Sequence, residues 1–272
     1  MVVQPLQSEV PVRKKQEWNM KKKLTVDRLS VSIYKDKYEL GRAAADMAER
    51  CIGQALEERG EAVVVLATGA SQFEFLDALT KRPIDWKKVV AFHLDEYVGI
   101  DANHPASFRR YLRERIIEKA GIGTANLIEG DAQDPEAECR RLEKVFKYYT
   151  VDVAFVGIGE NGHLAFNEPP AQFEDPASFK VVELNSQSRN QQLGEGWFKT
   201  LDDVPRYAIT MTIPAVMASK AIVCSVPDLR KAEAVKNTLM EKVSPQHPAS
   251  ILRKHEKAGL FLDRLSASLL TF

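Results

Sequence analysis

What this chain has little of narrows the field first. Its three cysteines, Cys51, Cys139 and Cys224, lie far apart, and no CxxC or CxxH spacing suggests a zinc site or a disulfide frame. They read as the reduced thiols of a cytoplasmic protein. No apolar run approaches the roughly 18 residues that a membrane span needs, and no signal peptide stands out, so no membrane partner is expected. Neither sign of charge is in excess: Lys plus Arg and Asp plus Glu both number 38 in 272 residues. That balance argues against nucleic acid or an anionic membrane as the main ligand. A P-loop, a GxGxxG fingerprint and a GxSxG elbow are also missing, so neither a nucleotide nor covalent catalysis is implied.

What is present is ordinary globular material. Hydrophobic residues make up 44% and charged residues 28% of the chain, enough for a sizeable core and a solvated surface. Residues 1–30 are polar, with basic clusters at Arg13–Lys15 and Lys21–Lys23. They read as a solvated, partly flexible leader. Residues 31–272 show no linker, repeat or low-complexity tract, which predicts one domain. Ser30–Tyr34 alternates as a short strand, and a helix from Asp36 buries Leu40, Ala44, Met47, Ala48, Cys51 and Ala55 before Gly60 closes it. Val63–Ala67 is a continuous apolar run that suits a central parallel strand. The alternation repeats: strands at Val89–Leu94, Leu127–Ile128, Val153–Val156, Tyr207–Ile213, Ala221–Val226 and Gly259–Leu262, with helices from Ser107, over Pro135–Tyr148 and over Leu229–Glu241. A short C-terminal helix is expected to end the chain. Residues 169–200 read as an irregular lid-like loop. The pattern predicts a single Rossmann-like, doubly wound α/β domain, its sheet mostly parallel with helices on both faces.

Four stretches carry candidate chemistry. Thr68-Gly69-Ala70-Ser71 lies between a strand and a helix, where outward backbone N–H groups favour a phosphate. It reads equally well as a plain turn with Ser71 as N-cap. Asp95-Glu96 ends an apolar strand, so a desolvated carboxylate there is a candidate general base. The alternative has one of the pair capping the next loop and the other solvated. Adjacent strand carboxylates point to opposite faces and chelate one metal poorly, so no metal is expected. In the stretch after Val153–Val156, Gly157, Gly159 and Gly162 set off Glu160, Asn161, His163 and Glu168. An imidazole oriented by a carboxylate suits acid/base work. Lys231 on a helix and Arg189 in the loop read, taken alone, as solvated surface charges.

Together, TGAS (68–71), LDEYVG (94–99), HPASF (104–108), GIGENGHLAFNEP (157–169), VPRYAITM (204–211) and LRKAEAV (229–235) resemble the glucosamine-6-phosphate deaminase family and its wider group, which includes the 6-phosphogluconolactonases. The resemblance implies isomerisation of an amino-sugar phosphate coupled to loss of ammonia, without metal or organic cofactor. It implies Asp95 as the base between C2 and C1, His163 as the group that opens the sugar ring, and Glu168 as its orienter. Thr68, Gly69, Ala70, Ser71 and Lys231 would hold the phosphate. Two positions depart from the family's pattern. Asn161 stands where the family has Asp beside the catalytic imidazole, with Glu160 a candidate replacement. No arginine precedes Trp197-Phe198, which leaves Arg189 as the expected lid contact to phosphate. The partner implied is a small sugar phosphate: glucosamine-6-phosphate first, with galactosamine-6-phosphate or a non-aminated sugar as variants. A 6-phosphogluconolactonase-type hydrolase and a non-catalytic sugar-phosphate sensor are the alternatives, and homo-oligomerisation stays open.

Overall fold

The computed structural model describes residues 22–194 and 196–271. Most of the expected leader, residues 1–21, lies outside the described residues. The folded unit nevertheless starts earlier than the sequence predicts. β1 (Lys22–Val26) pairs antiparallel with β2 (Leu29–Tyr34), so residues 22–30 belong to the sheet.

The sheet then winds outward from its centre. β3 (Ala62–Leu66), β4 (Val89–His93), β7 (Val153–Val156), β10 (Ile222–Val226) and β11 (Ala258–Asp263) are fully buried. Continuous Val, Ile, Leu and Ala runs survive only where both faces of a strand are covered. With the two-residue edge strand β6 (Thr124–Ala125), the order is β1-β2-β11-β10-β7-β3-β4-β6. Every neighbouring pair is parallel except β1–β2. Successive side chains face opposite ways: Val64 enters one core cluster, Val63 and Val65 the other.

On the first face lie α1 (Lys37–Arg59) and α2 (Phe73–Leu79). Asp36 caps α1 by accepting the N–H groups of Tyr38 and Glu39, and Gly60 ends it at φ 75°. α3 (Phe108–Leu112) runs through a π turn at Arg113–Ile117 into α4 (Glu118–Ala120), and its Leu112 and Ile116 pack on the same face. The second face carries α5 (Pro135–Phe146), α7 (Ile213–Met217) and α8 (Ala232–Met240). A small antiparallel sheet also packs there, ordered β5-β9-β8 from Asp95–Tyr97, Tyr207–Met211 and Phe179–Glu183.

Several predicted elements are corrected. Leu127–Ile128 is not a strand, because the Ile128 N–H goes to the buried His93 imidazole at 2.8 Å. Tyr207–Met211 is a strand of the second sheet, not the main one. Residues 169–200 are not an irregular loop but hold β8 and α6 (Ser186–Gly194). After β11 the chain makes hydrogen-bonded turns rather than a helix, with the Asp263 carboxylate taking the Ser266 N–H. No helix among the described residues is long and apolar enough to cross a membrane.

Candidate active site

The chain turns back across the sheet between β3 and β7. At such a switch point the loops leave in opposite directions and open a crevice beyond the strands' carboxyl ends. A cavity of about 440 Å³ lies there, within the range of small-ligand sites. The exits of four adjacent strands line it: Thr68–Ser71 after β3, Leu94 and Asp95 after β4, Gly157–Gly159 and His163 after β7, and Pro227–Lys231 after β10. Four stretches that lie between Thr68 and Lys231 in the sequence thus meet in one crevice.

Asp95 faces the cavity and is only 7% exposed. Burial, with the Glu96 charge behind it, pushes its carboxyl up to about 8. Glu96 points the other way, as alternation on a strand requires. Its oxygens accept the Ser107 hydroxyl and the N–H groups of Tyr97, Phe108 and Arg109. The Arg109 guanidinium stands 3.6 Å away and also binds Asp131 at 2.9 Å. Glu96 therefore does cap the next helix, but Asp95 is walled in rather than solvated.

His163 is held by its own loop. The Gly159 N–H donates to the His163 carbonyl at 2.9 Å, and the imidazole lies over Gly159 so closely that a Cβ there would collide with Cε1, Nε2 and Cδ2. Further along the loop, Phe166 N–H donates to Thr210 Oγ1 and Asn167 Nδ2 to the Met211 carbonyl, tying it to β9. Burial and the nearby Lys231 ammonium push the imidazole down to about 3, so it is neutral at physiological pH. Its Nδ1 faces the Ser188 hydroxyl at 3.3 Å and Glu168 Oε2 at 3.9 Å.

Asn161 sits beside this pair. Its Oδ1 accepts the His163 backbone N–H at 3.1 Å, which turns its amide nitrogen to Glu168 Oε2 at 2.6 Å. An aspartate at 161 would set a second carboxylate against Glu168, whereas asparagine offers a donor. Glu160 does not replace that carboxylate near the imidazole, since its side chain reaches Arg230 at 3.7 Å.

The Thr68–Ser71 turn opens onto the cavity with Gly69 at φ 91°, a conformation suited to glycine. Ser71 is not the N-cap that one reading expects: Gly69 holds that place, and Ser71 Oγ instead accepts from Gln72 Nε2 at 3.0 Å. Lys231, 8% exposed, lines the cavity from the end of the short turn leading into α8. The expectation for Arg189 is corrected. It lies in α6, not a loop, and its guanidinium donates to the Leu201 and Val204 carbonyls. Those bonds aim it away from the cavity, which it does not line.

Sequence reasoning missed Arg230, Lys37, Gln191 and Gln192, all of which line the cavity, and Asn185 and Ser188, which touch the Glu168–His163 pair. Only Arg230 left a signal, as the residue preceding Lys231. Among the described residues, no group of three or more His, Cys, Asp or Glu is placed to hold a metal.

Known proteins share this fold and much of this sequence. The family described as glucosamine-6-phosphate isomerases/6-phosphogluconolactonase matches residues 35–261. A glucosamine-6-phosphate deaminase from Listeria monocytogenes (serotype 4a, strain HCC23) is 37% identical over 205 residues, 75% of this chain and 86% of that protein. One from Oenococcus oeni is 30% identical and covers 89% of this chain and 99% of its own length. Among solved structures, a monomeric glucosamine-6-phosphate deaminase superposes with a TM-score of 0.80 at 32% identity, over 88% of this chain and 99% of that one. A 6-phosphogluconolactonase from Trypanosoma brucei reaches a TM-score of 0.73 at 15% identity over 89% and 98% of the two chains, which is a likeness of fold alone. The chain belongs to the glucosamine-6-phosphate isomerase/6-phosphogluconolactonase family.

Proposed function

We propose that this protein is an enzyme converting glucosamine 6-phosphate and water to a ketose 6-phosphate and ammonia. The observation that carries the reading is Asp95: a carboxylate walled into a sugar-sized cavity, its proton affinity raised to about 8, in the same crevice as a neutral imidazole. Lactone hydrolysis has little use for such a group, whereas moving a proton between neighbouring carbons needs one.

The phosphate seats on the backbone N–H groups of Thr68–Ser71 with the Lys231 ammonium beside it. Arg230 closes the site from the rim, supplying the guanidinium that Arg189 does not; its loose contact to Glu160 yields to a phosphate dianion. His163 Nε2 takes the proton of the anomeric O1 hydroxyl and returns it to O5 as the C1–O5 bond breaks. Both oxygens are bonded to C1, so one nitrogen reaches both. Asp95 then removes the C2 proton of the open aldehyde while O1 takes a proton from the substrate ammonium, giving an enolamine, and delivers the C2 proton to C1 as the C2–N bond becomes a protonated imine. The product is a C2 imine, which water hydrolyses to the ketone and ammonia. Leu94, Phe108 and Phe166 wall off solvent from these steps. The buried, unpaired state of Cys51, Cys139 and Cys224 supports a reducing, cytoplasmic setting.

The test is a panel of glucosamine 6-phosphate, galactosamine 6-phosphate, glucose 6-phosphate and 6-phosphogluconolactone, following ammonia and ketose phosphate separately. Stoichiometric ammonia and ketose from glucosamine 6-phosphate is the expected result. Lactone hydrolysis without ammonia release from either amino sugar would replace the deaminase reading with the hydrolase one. Binding without turnover of any of them would favour the sensor.

A further inference from the structure

Helix α6 has one apolar side chain in nine residues, Leu193, yet polar groups in it and just before it reach the catalytic loop at three points and β5 at a fourth. Asn185, just before it, donates to Glu168 Oε2 at 2.9 Å. Ser188 Oγ lies 3.3 Å from His163 Nδ1. Gln191 Oε1 accepts the Glu160 N–H at 3.1 Å, and Gln192 Oε1 accepts the Tyr97 hydroxyl at 2.6 Å. Ser188 is buried, and so is the ring it faces.

A neutral imidazole has one N–H and one bare nitrogen, and its surroundings decide which is which. On the Nδ1 side stand a hydroxyl oxygen and, 3.9 Å off, a carboxylate oxygen; an N–H dipole pointed that way is favoured. The ring also shares the cavity with the Lys231 ammonium, and a lone pair on the cavity-facing nitrogen is favoured near a cation. Resting on the function proposed above, we infer that Ser188 is a positioning residue. It accepts the Nδ1–H of His163 and so keeps Nε2 bare to take the O1 proton. As Nε2 gains that proton, the imidazolium faces the Glu168 carboxylate, whose Oε2 the two asparagines hold in place. The helix over the cavity thereby sets the acid–base state of a group on the strand side.

The experiment is long-range ¹H–¹⁵N NMR of the imidazoles in the full chain without substrate. His163 is picked out from the five histidines by its loss in His163→Gln. A single Nδ1–H tautomer is expected in the wild type, a mixture in Ser188→Ala, and the wild-type pattern again in Ser188→Thr. With glucosamine 6-phosphate, Ser188→Ala is expected to lower kcat roughly tenfold while KM holds, a part of the roughly 10²–10⁴-fold that a positioned acid–base group supplies; Ser188→Thr restores it. An Nε2–H tautomer in the wild type overturns the inference, whether or not Ser188→Ala folds. So does a Ser188→Ala protein with unchanged tautomer and kcat. The spectrum needs no substrate, so a wild type that releases no ammonia but shows the Nδ1–H tautomer would fail the deaminase reading and leave the tautomer assignment standing.

Discussion

The floor and the roof of the cavity are made in different ways. The floor consists of the ends of β10, β7, β3 and β4, four hydrogen-bonded parallel strands buried on both faces. Asp95, the Gly159–His163 pair and Lys231 leave from it. The roof is α6 and the segment after it, resting on a small cluster of Tyr97, Phe108, Phe166 and Phe198 and on side-chain hydrogen bonds. Each such bond is worth only about 0.5–1.5 kcal/mol net, whereas a strand cannot leave the sheet without exposing core on both faces. On the proposed function, the reacting groups sit where position is stiffest, and the groups that adjust them sit where opening costs least.

If that division holds, the floor should dominate rate. Asp95→Asn is expected to lower kcat by roughly 10²–10⁴-fold and yet raise stability. The wild-type carboxyl keeps its proton up to about pH 8 in the fold, against an ordinary value of 3.8. Between those values the unfolded chain has lost a proton that the folded one retains, so the wild type loses stability as pH rises through the window. Melting temperatures of the two proteins should coincide near pH 4 and diverge in favour of Asn up to pH 8. His93 and His163, both neutral in the fold down to about 3, destabilise the two proteins equally as pH falls below 6.5 and cancel from the difference.

Gly159→Ala comes next. Its methyl must displace the imidazole, and a shift of about 1 Å in a reacting group costs on the order of 100-fold in rate. A kcat within a few-fold of wild type would show the ring is not held there. At the rim the effect moves from kcat to KM. Arg230→Gln should raise KM, and the inhibition constant of inorganic phosphate, by about tenfold, the scale of one charge-assisted hydrogen bond. Arg189→Gln should leave phosphate inhibition unchanged and lower only the melting temperature, since it loses bonds to backbone carbonyls. The reverse outcome would put the lid arginine back on the phosphate.

The same division decided what the sequence could disclose. The floor was legible because Val63–Ala67, Val89–Leu94, Val153–Val156 and Ala221–Val226 are largely apolar runs that stop where polar, glycine or proline residues begin. Asp95, His163 and Lys231 stand at or soon after those stops. The roof was not, because SQSRNQQLG has no apolar face to give it a helical period; tertiary hydrogen bonds hold it instead. Asp95–Tyr97 looked like the end of β4, since three residues do not announce that they pair with Thr210, Ile209 and Ala208. Arg189 drew attention by its charge and its place in the expected lid, yet the partners that occupy it, the Leu201 and Val204 carbonyls, carry no side-chain signature.

The central claim is that the floor performs proton transfer on an amino sugar and not lactone hydrolysis. Its most direct test runs glucosamine 6-phosphate in deuterated water and follows ammonia together with deuterium at C1 of the ketose. Ammonia release with solvent deuterium or transferred hydrogen at C1, both abolished in Asp95→Asn, is the expected result. Full ammonia release by Asp95→Asn would contradict it.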